Sequence, residues 1–242
     1  MKRKYSVDTL VDDLVSRDEV ALTRILTLVE VNPQSRDAIS QRISDYCGSA
    51  HVIGITGPLG AGKSTITSAL TALLREQNRK VGITAYDPSS PFSGGSVLGD
   101  RIRMRDHFLD DGVFIRSLSN RGVPGGISSS AKMAADLMDA FGLGSIIIET
   151  VGVGQTYLNV MRVADTVLVI LVPESGDSIQ VMKSGLMEIG NIFAVNKSDR
   201  LGAGRLVHAL ETSFKESEMT IPSVVKTRAD TNEGIRELFL KF

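Results

Sequence analysis

Eight consecutive residues, Gly57-Pro58-Leu59-Gly60-Ala61-Gly62-Lys63-Ser64, follow the pattern G-x-x-x-x-G-K-[ST] and lead into Thr65. Glycines at 57, 60 and 62 let backbone N–H groups close around phosphate oxygens, so the run from Gly57 through Ala61 to Thr65 reads as a phosphate cradle. Lys63 brings a point charge to β- and γ-phosphates, and Ser64 brings a hydroxyl to Mg²⁺. A second pattern, Asn196-Lys197-Ser198-Asp199, fits N-K-x-D. A carboxylate there accepts both N1–H and the exocyclic N2–H of guanine, whereas adenine has no donor at that edge and would leave a buried Asp199 unpaired. Asn196 and the Lys197 stem are expected to brace the loop and the base. A chance glycine turn and a polar turn ending a strand are the bland alternatives, and the two patterns together outweigh them.

A third group stands between them. Glu149 ends the apolar run Ile146-Ile147-Ile148, where an acidic residue is placed to hold Mg²⁺ directly or through water. Gly152 and Gly154 then suit a loop that senses a γ-phosphate, and Gln155 is a candidate for orienting a water, with an ordinary loop glutamine as the alternative. Asp87 and Asp100 flank another post-strand stretch, Pro88 to Gly99. Each is either a further oxygen ligand for the metal or a local device: a turn former before Pro88, an N-cap before the helix expected near Arg101.

The elements that must carry these residues are legible in the hydrophobic pattern. Apolar runs at His51–Thr56, 81–85, 113–115, 145–148, 166–172, 192–195 and 223–225 lack polar alternation and are separated by helical segments such as Thr65 to Gln77. Strands apolar on both faces belong to a parallel sheet covered on both sides. The expected fold is therefore α/β, a mostly parallel, doubly wound nucleotide-binding sheet with ligands at the carboxyl ends of its strands. Val7 to about Val31 has helical period with Asp18 available as an N-cap, Asn32-Pro33 interrupts it, and a further helix is expected to run to Tyr46. This divides the chain into a helical extension, 1–49, and a nucleotide-binding domain, 50–242. Gly94-Gly95 and the stretch from Gly122 to Gly126 mark two loops expected to move.

Composition narrows the class. In 242 residues, 42% hydrophobic and 23% charged with a net charge of −1, there is no electrostatic case for a nucleic-acid or anionic-membrane partner. Cys47 is the single cysteine, which excludes an internal disulfide framework and agrees with a cytoplasmic location. No span approaches 18 consecutive apolar residues. His51, His107 and His208 show no metal-ligand spacing.

The motifs together closely resemble the MeaB/ArgK family, P-loop G-proteins of the SIMIBI class that chaperone adenosylcobalamin-dependent acyl-CoA mutases. The resemblance is carried by Gly57–Ser64, by Asp87-Pro88-Ser89-Ser90-Pro91-Phe92-Ser93-Gly94-Gly95 and by Ser119-Asn120-Arg121-Gly122. It extends through 149–155, Pro173-Glu174-Ser175-Gly176-Asp177-Ser178-Ile179-Gln180, Asn196–Asp199 and Thr27-Leu28-Val29-Glu30. It implies GTP and GDP with Mg²⁺ as ligands, with no tightly bound cobalamin on this chain. By position it implies Mg²⁺ contacts from Ser64, Asp87, Asp100 and Glu149, a guanine-backing loop at Thr227-Arg228-Ala229, and a switch loop from Pro173 to Lys183 containing Asp177 and Gln180. The implied partner is a cobalamin-dependent mutase such as methylmalonyl-CoA mutase, which should stimulate a slow GTPase. Family members usually continue into a carboxy-terminal dimerisation arm, whereas this sequence ends at Phe242, so the expectation leaves the homodimer open. Tyr157 and Leu158 also stand where a more acidic segment is expected. No arginine finger is fixed in sequence; Arg101, Arg103, Arg105 and Arg121 are candidates. The competing readings are a nickel-insertion GTPase, which commonly carries His or Cys clusters absent here, and a small-molecule kinase, for which no acceptor motif is found.

Overall fold

The structure, a computed structural model, describes residues 6–87, 104–119, 126–150, 161–173, 186–216 and 222–242. Three helices open the chain: α1 (Val7–Val15), α2 (Glu19–Val31) and α3 (Arg36–Ile43), the last drawn out to Tyr46 by a 3₁₀ turn. Asp18 caps α2 as its position suggests, its carboxylate accepting from Val20 N–H at 2.7 Å and Ala21 N–H at 3.1 Å. The core then alternates β1 (His51–Thr56), α4 (Lys63–Glu76), β2 (Val81–Asp87), β3 (Val113–Ser119), α5 (Gly126–Ala140) and β4 (Ser145–Thr150). It continues with β5 (Thr166–Leu171), α6 (Leu186–Ile189), β6 (Ile192–Val195), α7 (Ala203–Glu216), β7 (Ser223–Lys226) and α8 (Ile235–Phe239).

Among the described residues, seven strands are parallel in one sheet of order β3-β2-β4-β1-β5-β6-β7. The apolar runs explain why both faces are covered. Along β4, β5 and β6, alternate residues enter opposite cores: Ile146, Ile148, Val167, Val169, Phe193 and Val195 on one side. Ile147, Leu168, Ile170, Ile192 and Ala194 enter the other. Period-2 alternation places two apolar sets on two faces, so no polar face is left to show in the sequence. The first face is covered by α1, α2, α3, α5 and α7, the second by α4 and α8.

Two polar anchors attach the opening helices to this sheet. Arg116 on β3 donates to Thr27 Oγ1 at 2.9 Å and lies 3.6 Å from Glu30, with both charged side chains largely withdrawn from water. Asp139 near the end of α5 accepts from the backbone N–H groups of Gly48, Ser49 and Ala50 and from the Ser49 hydroxyl, pinning the segment that enters β1. Because the strand order reverses direction at β1, flanked by β4 and β5, the crevice at the carboxyl end of β1 is the expected ligand position.

Candidate functional site

The crevice is built by the loop between β1 and α4. Gly57, Gly60 and Gly62 hold φ of 147°, 77° and 91°, a region L side chains rarely adopt. At two of them space forbids a side chain as well: a Cβ on Gly57 would stand 2.2 Å from Ile170 O, and one on Gly62 2.3 Å from Asn196 Nδ2. Gly62 starts α4 without a side-chain cap. The first N–H groups of that helix therefore point into the loop with the positive end of the helix dipole behind them, an anion-binding arrangement. Lys63 is 6% exposed and its ammonium donates to the carbonyls of Gly57 and Pro58, each at 2.9 Å.

Beneath the loop, Glu149 reaches across from the end of β4, the neighbour of β1. Its carboxylate accepts from Ser64 Oγ at 2.8 Å and from Thr67 Oγ1 at 3.0 Å, with all three side chains buried. Two hydroxyls and a carboxylate form a hard-oxygen set, which suits Mg²⁺ rather than a soft metal. Asp87 ends β2, the strand on the far side of β4, so it shares the carboxyl edge of the sheet with Glu149. Among the described residues no three His, Cys, Asp or Glu side chains gather as a metal cluster.

Asn196, directly after β6, is the hub of the remaining part. It is 3% exposed. Its amide donates to Ala61 O at 2.8 Å, and its carbonyl accepts from Thr227 Oγ1 at 3.2 Å and Ala229 N–H at 3.1 Å. One side chain thus ties the phosphate loop to the loop after β7. Lys197 turns through φ 55°, and Ser198 N–H donates to Thr227 O at 3.1 Å, so the two loops run side by side.

The Asp199 side chain is 47% exposed and lies 3.8 Å from the Arg228 guanidinium. Arg228 also bonds Asp230 at 3.2 Å. That bond, with the charges of Asp230 and then Asp199, raises the Arg228 pKa further above its already high value. A cavity of about 590 Å³ extends from this loop along the exposed side of α4, bounded by Thr65, Ser68, Glu76, His107, Asp230 and Ile235.

The structure thus brings together Lys63, Ser64 and Glu149 as one cluster and Asn196, Lys197, Asp199, Thr227, Arg228 and Ala229 as another, joined through Ala61. Asp100, Gln155, Asp177, Gln180 and Lys183 lie outside the described residues, as do Arg101, Arg103 and Arg121 of the arginine candidates and Tyr157 and Leu158. Two contributors escape the motif reading. Thr67 is signalled only by lying three residues after Ser64 on the same face of α4. Asp230 has no signal short of the fold.

Among the described residues no helix is long and apolar enough to cross a membrane. A family model described as methylmalonyl Co-A mutase-associated GTPase MeaB matches residues 22–242. A Pyrococcus horikoshii protein named only as a GTPase is 43% identical over 241 residues, 97% of this chain and 76% of its own length. The GTPase ArgK of Escherichia coli is 39% identical over 235 residues, 92% of this chain and 70% of that protein. The mouse mitochondrial methylmalonic aciduria type A homolog is 32% identical over 259 residues, 98% of this chain and 62% of its own length. Among solved structures, one titled LAO/AO transport system kinase superposes with a TM-score of 0.75 at 26% identity, covering 99% of this chain and 74% of that one. HypB from Helicobacter pylori, in complex with nickel, reaches 0.57 at 15% identity over 86% of this chain and 92% of its own, a likeness of fold alone. With the family model matched from residue 22 to the last residue, this chain belongs to the MeaB family of GTPases.

Proposed function

We propose that this chain is a GTP-hydrolysing chaperone that gates the loading, protection or repair of adenosylcobalamin in a cobalamin-dependent acyl-CoA mutase. The observation that carries the nucleotide half of this reading is Asn196, which joins the phosphate loop at Ala61 to the base-side loop at Ala229 through one buried amide. The mutase half is supported by the description of the matching family and by the name of the mouse relative.

In this reading the loop Gly57–Thr65 and the N-terminus of α4 bind the phosphates. Lys63 exchanges its two carbonyl partners for phosphate oxygens, a charge-assisted and therefore stronger pairing. Ser64 and Glu149, with Asp87 and Asp100 as further candidates, would hold Mg²⁺, which supplies neutralisation of charge on the phosphates. Thr67 keeps the Glu149 carboxylate oriented by its own hydroxyl. Asp199 selects guanine, with Ala229 N–H and the Thr227 loop behind the base. Gln155 is assigned to the attacking water, and Asp177, Gln180 and Lys183 to relaying nucleotide state to the mutase.

The test is calorimetry with GDP and ADP, followed by turnover of labelled GTP with and without purified methylmalonyl-CoA mutase. Selective GDP binding, release of GDP and inorganic phosphate, and stimulation by the mutase are expected. Equal GDP and ADP affinities overturn the guanine assignment, a phosphorylated metabolite favours a kinase, and an unstimulated rate removes the mutase.

A further inference from the structure

The loop after β7 holds Arg228 beside Asp199, 3.8 Å from its carboxylate. Its backbone is fastened on every side: Arg228 N–H donates to Glu233 O at 2.9 Å, and Arg228 O accepts from Thr231 and Glu233 N–H at 3.2 and 3.1 Å. Its neighbours Thr227 and Ala229 are both bonded to Asn196. Gly234 closes the loop at φ 73°, where a Cβ would stand 2.0 Å from Lys226 O. Only the side chain has freedom, and it has two carboxylates to choose between. Asp230 takes a hydrogen bond at 3.2 Å, whereas Asp199 at 3.8 Å is within ion-pair distance and beyond a hydrogen bond.

The chemistry of the choice is specific. A guanidinium presents adjacent N–H donors in a planar fork, and the N1–H and N2–H edge of guanine presents the same fork to the same carboxylate. Arg228 and guanine are competitors for Asp199. This inference rests on the reading of Asp199 as the guanine-selecting residue.

We propose that Arg228 is a counter-ion latch on Asp199, that Asp230 is the seat to which it withdraws, and that guanine nucleotides bind as the arginine moves fully onto Asp230. The latch holds the specificity carboxylate neutralised until a ligand with the matching donor pair displaces it. Asp230 thereby favours guanine binding without touching the base.

The three side chains are 37%, 47% and 67% exposed, so water and salt screen the pairs and effects of two- to fivefold in affinity are expected. The experiment measures GDP and ADP binding by calorimetry at about 50 and 500 mM NaCl for wild type, Asp230→Asn, Arg228→Ala and the double variant, each with a melting curve. Asp230→Asn should weaken GDP about threefold at low salt by driving Arg228 onto Asp199. Arg228→Ala should bind GDP about twofold more tightly than wild type at low salt, the double variant should match Arg228→Ala, and high salt should shrink every difference. A loss from Asp230→Asn that persists in the Arg228→Ala background, or an Arg228→Ala variant with no gain in GDP affinity at low salt, overturns the latch. Wild-type selectivity for GDP over ADP separates the two levels. Selectivity with an uncoupled cycle sinks the latch alone, and its absence sinks the guanine reading together with the latch.

Discussion

Asn196 should be a structural residue before it is a ligand-binding one, and replacing it with alanine tests that order. The substitution removes one donor to Ala61 O and an acceptor shared by Thr227 and Ala229. All three partner residues are buried, Ala61 and Thr227 at 0% and Ala229 at 7% exposure, so their polar atoms have little water to turn to. At about 1 kcal/mol net per hydrogen bond, three bonds contribute about 3 kcal/mol, and more where a partner stays dry. For a chain of this length each kcal/mol moves the melting midpoint by about 2–4 °C, so a fall of roughly 6–12 °C is expected. The measurement is thermal unfolding of Asn196→Ala and wild type after nucleotide removal by dialysis against chelator, paired with GDP calorimetry. Affinity for GDP should fall at least tenfold as well, because the phosphate loop and the base loop lose their common tie. A variant that melts within about 1 °C of wild type yet binds GDP tenfold more weakly would refute the reasoning, since its amide would then act only on the base.

Three further outcomes follow from the same geometry. Lys63→Ala should reduce GTP affinity or turnover at least tenfold, whereas Glu149→Ala should slow Mg²⁺-dependent hydrolysis tenfold or more with GDP affinity within about threefold; a Glu149→Ala rate equal to wild type in a labelled-GTP assay removes its metal role. Asp139→Ala leaves three N–H groups and a hydroxyl without their shared acceptor, and should lower the melting midpoint by about 5–15 °C with GDP affinity unchanged, calorimetry against a melting curve being the check. Burial, reinforced by Asp136 and Asp139, pushes the Cys47 thiol up to about 11, so its alkylation by iodoacetamide should be slow at neutral pH and climb about tenfold per pH unit through pH 10. A plateau near pH 9 would contradict it.

The sheet was legible because its strands are apolar on both faces and short. Every run read as a strand forms one, and the Gly57–Ser64 loop, Glu149 and Asn196 all lie at carboxyl ends of strands as a doubly wound sheet demands. The strand order is another matter, since adjacency of β4 to β1 depends on crossover connections that no local pattern encodes. That adjacency is what lets Glu149 meet Ser64 and Thr67 across 85 and 82 residues of chain. Likewise the family resemblance singled out Thr27 to Glu30 with no physical reason attached. The fold supplies one, because Thr27 and Glu30 lie one helical turn apart and both engage Arg116 on the edge strand.

In the proposed reading, selection by Asp199 rests on a carboxylate that adenine would leave unpaired. Asn196 is buried at 3% exposure, whereas the Asp199 side chain is 47% exposed beside an arginine. Position is therefore a second source of selectivity. A buried, unpartnered carboxylate rejects adenine through a desolvation penalty of about 1–3 kcal/mol. One that pairs with an arginine when no base faces it discriminates by the difference between two pairings, guanine against guanidinium. In the proposed reading, selection of guanine also draws on the framework that would fix where the base lies: the buried Asn196, the Ala229 N–H it holds, and Lys197 in its left-handed turn. A carboxylate of moderate strength at a rigidly defined position discriminates by geometry, since adenine seated in the same place would meet it without a donor. Loosening the framework, as Asn196→Ala does, should then erode the GDP-to-ADP ratio as well as GDP affinity. A ratio that stays at the wild-type value while affinity falls would return the whole of the selection to Asp199.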